Sequence, residues 1–168
     1  INITLETLTT SNPYGNAGTI ISGGYGSGTP ISGQQLTEDA EIRSFLESSP
    51  NIKVYADPCQ GTQTTNCVNL NGLPNTAQAG LKNIALGCPT CTITITGATE
   101  AGHKTHGEGR PMVDIRSTDT NLNNYIINNQ TSVRQTNLGP EYTVQIAPEQ
   151  TATFLRESNP PHWHVTFK

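Results

Sequence analysis

All four histidines of this 168-residue chain lie in two tight groups, His103 with His106 and His162 with His164. A fold that uses them together must bring a mid-chain loop onto a C-terminal strand. Residues two apart on a strand point the same way, so His162 and His164 share one face and Trp163 takes the other. Imidazole is a preferred zinc ligand. One histidine of the pair can bind a metal while its neighbour stays free for a substrate. Asp114, on a short strand after a Gly-rich turn, can supply an oxygen ligand. Two histidines, one carboxylate and a water make the open four-coordinate arrangement of a catalytic zinc. The plain alternative is a His-x-His pair of no metal significance, with His103 a surface residue or a hydrogen-bonding partner.

Composition narrows the class. Apolar residues make up 33% and charged residues 13%, the rest being rich in Thr, Asn, Gly, Ser and Gln. Disorder usually pairs low hydrophobicity with high net charge, whereas the net charge here is only −4. A folded domain with long polar loops fits both facts, and the length suits a single domain. Nucleic-acid binding needs clustered Lys and Arg, and these are scattered. No run approaches the roughly 18 apolar residues of a membrane span.

Cys59, Cys67, Cys88 and Cys91 form an even set in a Thr/Asn-rich chain, as in a secreted, periplasmic or cell-surface protein with two disulfides. Sequence closeness favours Cys59–Cys67 and Cys88–Cys91. The Cys88-Pro89-Thr90-Cys91 spacing also suits a zinc knuckle, so a four-thiolate site and free thiols stay open. Sequons occur at Asn2-Ile3-Thr4 and Asn129-Gln130-Thr131.

Along the chain, Ile1, Ile3 and Leu5 alternate as in a short strand, and residues 11–33 are dense in Gly and Ser. Residues 1–33 read as an arm or linker that either leads flexibly into the domain or packs on a partner, a route to self-association. The domain proper spans 34–168. Thr37 can cap a helix with Ala40, Ile42, Phe45 and Leu46 inward, and Ile52 to Tyr55 is a strand. Thr76 caps a second helix with Ala77, Leu81, Ile84 and Ala85 inward, ending at Gly87. Thr92 to Thr96 is a β-branched strand, and Met112 to Ile115 another with Asp114 facing away from its neighbours. Leu122, Tyr125 and Ile126 mark a third helix, and Tyr142–Ile146 and His162–Phe167 are strands. Helices come early and strands late, which predicts an α+β fold with an antiparallel sheet packed on about three helices. Trp163, Phe167 and Tyr125 read as core.

The run from Ile95 through Gly102-His103-Lys104-Thr105-His106-Gly107-Glu108-Gly109-Arg110-Pro111-Met112-Val113-Asp114, with Pro161-His162-Trp163-His164-Val165-Thr166-Phe167, resembles the zinc D-Ala-D-Ala carboxypeptidase family. Its wider group holds the LAS-type peptidoglycan peptidases and the amino-terminal domain of hedgehog proteins. The resemblance covers residues 34–167, with specific motifs in the second half. It implies a LAS/hedgehog-type zinc peptidase core, Zn2+ on His106, Asp114 and His164, and His162 as a site histidine that is not a ligand. Gly109 matches the family glycine between the first two ligands, and Arg110 the residue after it.

Two departures stand out. His106 and Asp114 are eight apart where the family pattern has seven, which suggests a bulge in the turn near Pro111. Asn159, Pro160 and Pro161 stand where members carry a glutamate base, and Glu157 is the nearest carboxylate. Either Glu157 turns into the site or the base is lost.

The implied activity is hydrolysis of peptide bonds in peptidoglycan stem peptides, of D,D- or L,D-type. Glu157 or His162 would be the base, His162 or His103 the oxyanion donor, and Arg110 the partner of a substrate carboxylate. Arg110 has a surface role as its alternative, and Glu100 and Glu108 read as solvated loop acids, the alternative being that either orients a ligand imidazole through its second nitrogen. The alternative function is an inactive zinc-binding extracellular domain that is structural, wall-binding or part of a surface assembly. A metal-free adhesin or pilus-type subunit is a third reading.

Overall fold

A computed structural model describes residues 38–60, 63–101 and 105–168. The expected N-terminal strand, the arm and its self-association, Thr37 and His103 lie outside the described residues. In chain order the elements are α1 (Asp39–Glu47), β1 (Ile52–Val54), α2 (Asn75–Gly87), β2 (Ile93–Gly97), β3 (Met112–Arg116), α3 (Thr120–Asn128), β4 (Gln130–Thr136), β5 (Gly139–Ala147), β6 (Gln150–Ser158) and β7 (Pro161–Phe167). The class is α+β, with three helices and one seven-stranded sheet in the order β1-β2-β3-β7-β6-β5-β4.

The sheet is mixed, not antiparallel. β1 and β2 run parallel, with Ile52 beside Ile93 and Val54 beside Ile95. The cause is α2, which lies between them in sequence and carries the chain back to the starting end, as a parallel pair requires. Every other neighbouring pair is antiparallel. Two strands carry little sequence signal. β4 is exposed over all but its last residue, so no apolar alternation marks it, and β6 places Ala152 and Phe154 inward amid threonines.

The buried face of the sheet carries Ile93, Ile95, Val113, Ile115, Phe154, Trp163, Val165 and Phe167 against Leu81, Ile84, Leu122 and Ile126 of the helices. Trp163 and Phe167 are core as expected, while Tyr125 is only partly buried against it. α2 begins at Asn75 with Pro74 at the cap position, so Thr76 lies inside the helix rather than capping it. Asn51 Nδ2 instead secures the other end of α2 by donating to the carbonyls of Ala85 and Cys88, both at 3.1 Å. Asp119 caps α3, its Oδ1 accepting from Leu122 N–H at 2.7 Å.

Cys59 is bonded to Cys67 and Cys88 to Cys91. No free cysteine remains among the described residues, so these thiols form no four-thiolate metal site. No described helix is long and apolar enough to cross a membrane.

Candidate metal centre

The centre lies on the face of the sheet opposite the helices. Antiparallel pairing of β3 with β7 sets Asp114 beside His164 and Arg116 beside His162. Pairing of β7 with β6 sets Leu155 beside His164 and Glu157 beside His162. Opposed residues share a face, so two strand contacts collect Asp114, His162, His164 and Glu157 in one patch. His106 arrives from the loop between β2 and β3.

That loop is held by buried polar contacts. Glu100 is buried, not solvated as expected, and its Oε2 accepts from Ala98 N–H at 3.0 Å and Asn69 N–H at 3.1 Å. Thr99 N–H donates to Asn69 O at 2.8 Å, and Gly109 N–H to Gly72 O at 3.0 Å. The 68–71 stretch is tied in turn to α1. Asp39 accepts from Leu70 N–H at 2.7 Å and pairs with Arg43, which donates to the carbonyls of Ala56 and Val68, both at 2.9 Å. Glu108 is exposed as expected. Between His106 and Asp114, Arg110 N–H closes a turn on Gly107 O, with Gly109 at φ +76°. The irregularity in the sheet itself falls in β2, between Ile95 and Gly97 opposite Asp114.

His106 Nε2 and His164 Nδ1 lie 2.8 Å apart, and Asp114 Oδ1 is 3.1 Å from the first and 3.2 Å from the second. Two ligand atoms on a tetrahedral metal with bonds of about 2.0–2.1 Å stand roughly 3.3 Å apart. The triangle therefore has the size of one face of such a tetrahedron. His106, Asp114 and His164 form a largely buried group able to hold a metal ion. Its two nitrogens and one oxygen are donors that zinc accepts.

No family model, curated protein or solved structure matches the chain.

The donor atoms themselves carry the chemical reading. His162 approaches the same carboxylate, Nε2 to Asp114 Oδ1 at 3.3 Å, and also Glu157 Oε2 at 3.4 Å. Its Nδ1 faces Pro160 O at 2.7 Å, which fixes that nitrogen as the N–H and turns Nε2 inward. Burial opposes ionisation of Asp114, but hydrogen bonds from His106, His162 and His164 outweigh it and hold the carboxyl well below the usual range. The bond to Asp114 raises His162 to about 9 against opposing burial, helped by the Pro160 carbonyl and the charges of Asp114 and Glu157.

Arg110 is exposed and donates Nη1 to Thr105 O at 3.1 Å. A basic residue on the site's own face, paired across the strands with His162, is Arg116, which sequence reasoning missed. The available signal was its position two residues after Asp114 on a strand, which puts both side chains on one side.

Gly97 shows how tightly Asp114 is seated. A Cβ there would lie 3.0 Å from Glu100 Oε1 and 3.1 Å from Asp114 Oδ2. Gly97→Ala should push the carboxylate off its place and weaken metal retention on the order of tenfold, the low end for perturbing a group that orients ligands. Competition with a calibrated chelator measures it, and an unchanged dissociation constant would show that Gly97 does not gate the site.

Proposed function

We propose that the chain is a secreted or cell-surface zinc peptidase, on a LAS/hedgehog-type core, that hydrolyses peptide bonds in peptidoglycan stem peptides. The observation that carries this reading is the position of Glu157, in register with His162 and 3.4 Å from its Nε2. The Asn159-Pro160-Pro161 stretch removed a nearby carboxylate from the sequence pattern, and Glu157 returns one across the strand. Two disulfides fit an oxidising compartment outside the cell.

Zinc held by His106, Asp114 and His164 would supply Lewis acidity toward a scissile carbonyl and a water molecule. The chain's own groups do the rest. Glu157 takes a proton as the water oxygen bonds to the carbonyl carbon. His162, its Nδ1–H fixed on Pro160, offers Nε2–H to the oxygen on which negative charge develops. Collapse breaks the C–N bond, and Glu157 returns the proton to the leaving amine.

Release of products from defined muropeptides by the zinc-loaded chain tests the reading. His162→Ala should retain zinc and lose activity by about 100-fold, the typical value of one oxyanion donor. If the zinc-loaded wild type releases nothing over hours, the inactive zinc-binding or wall-binding domain is the correct reading.

A further inference from the structure

The same sheet face carries a second polar feature beside the metal centre. Thr92, Thr94, Arg116, Thr118 and Asp119 line an open cavity of about 230 Å³ where β2 and β3 approach the start of α3. Arg116 stands two residues beyond Asp114 on β3, so the cavity begins about 7 Å along the strand from the metal donors. Two residues of an extended peptide span roughly that distance. The volume falls below the roughly 300–1,000 Å³ of pockets that enclose drug-sized ligands, which suits one residue of a longer chain.

Both charged walls are oriented. The Arg116 guanidinium lies over the Tyr55 ring, with Cζ 4.5 Å from the ring centroid. That contact holds the guanidinium beside the ring and leaves N–H groups for a ligand. Among the described residues the ring contact is the one interaction its side chain makes. Asp119 spends Oδ1 on the α3 cap and keeps its second oxygen. The two charges form no ion pair with each other among the described residues, so neither cancels the other directly. A plain anion would meet Asp119, and a plain cation would meet Arg116. A group carrying both signs satisfies both walls, with threonine hydroxyls between them.

We propose that this cavity is a subsite for a peptide residue whose side chain bears a free carboxylate and a free ammonium, as a diamino-dicarboxylic acid does. The carboxylate takes the guanidinium edge and the ammonium takes Asp119. The choice of a peptide ligand rests on the peptidase reading above, and the subsite would set which stem peptides are accepted.

The test uses three C-terminally amidated tripeptides that differ at one position: diaminopimelic acid, lysine (no side-chain carboxylate) and 2-aminopimelic acid (no side-chain ammonium). Binding is measured by calorimetry on zinc-loaded Glu157→Gln, so the probes stay intact. The diaminopimelyl peptide should bind about tenfold or more tighter than either analogue, as charge-assisted hydrogen bonds allow. Adding Arg116→Gln should erase the preference over lysine. Adding Asp119→Asn, which keeps a capping side chain, should erase the preference over 2-aminopimelate. Equal binding of all three peptides, or preferences that survive both substitutions, would overturn the subsite. A wild type that hydrolyses nothing while the Arg116-dependent preference persists retains the subsite and loses the peptidase reading. Hydrolysis with no preference among the peptides does the reverse.

Discussion

Glu157→Gln should cut turnover by on the order of 100-fold or more while leaving zinc content unchanged, since general-base catalysis is worth roughly that factor. The substitution keeps the size of the side chain and removes its ability to accept a proton from water. Glu157 is half-buried and sits outside the His106–Asp114–His164 group, so the metal donors are untouched. It does contact His162 at 3.4 Å, so part of any loss could come through that imidazole. The double variant with His162→Ala separates the two. If both residues serve one chemical step, their losses will fall well short of adding. Full activity in Glu157→Gln would remove Glu157 as the base and leave His162 as the remaining candidate.

The candidate metal group of His106, Asp114 and His164 was legible because its signal is local. His162 and His164 on one face follow from strand period alone, and Asp114 from its place between two buried neighbours. The pairing of β3 with β7 that joins them comes from the fold. Glu157 was ambiguous because its placement depends on β6, a strand whose threonines weaken the apolar alternation, and on the register of a hairpin. A one-residue slip would have turned Glu157 to the other face. The parallel β1–β2 pair was missed for a different reason. The polar 57–74 stretch looks like an irregular connection, yet α2 follows it and completes the crossover. Glu100 looked like a solvated acid because one of its partners, the backbone N–H of Asn69, lies thirty-one residues away in sequence. Arg116 escaped notice because Arg110 is nearer the glycine motif, and proximity along a loop says little about direction.

Removing the metal should leave a folded chain that melts at lower temperature, unlike a small zinc domain that unfolds without its ion. The reason lies in the separation of site and core. The hydrophobic core between the sheet and the helices does not include His106, Asp114 or His164, and two disulfides add covalent ties to the fold. Asp114 Oδ1 meets His106, His162 and His164 at 3.1–3.3 Å, so hydrogen bonds help gather the donors. Zinc at a thousandfold excess over its dissociation constant adds about 4 kcal/mol by mass action. For a domain of this size that raises the Tm by roughly 10 °C, at about 2–4 °C per kcal/mol. His106→Ala and His164→Ala should each lose bound zinc and show no zinc-dependent rise, while His162→Ala keeps both. Because protons compete with a metal for imidazole, the rise should shrink on acidification. Elemental analysis beside thermal melts, with and without chelator, reads all of this. Should the wild type take up no transition metal, or should His162→Ala lose zinc as completely as His164→Ala, the three-ligand assignment fails.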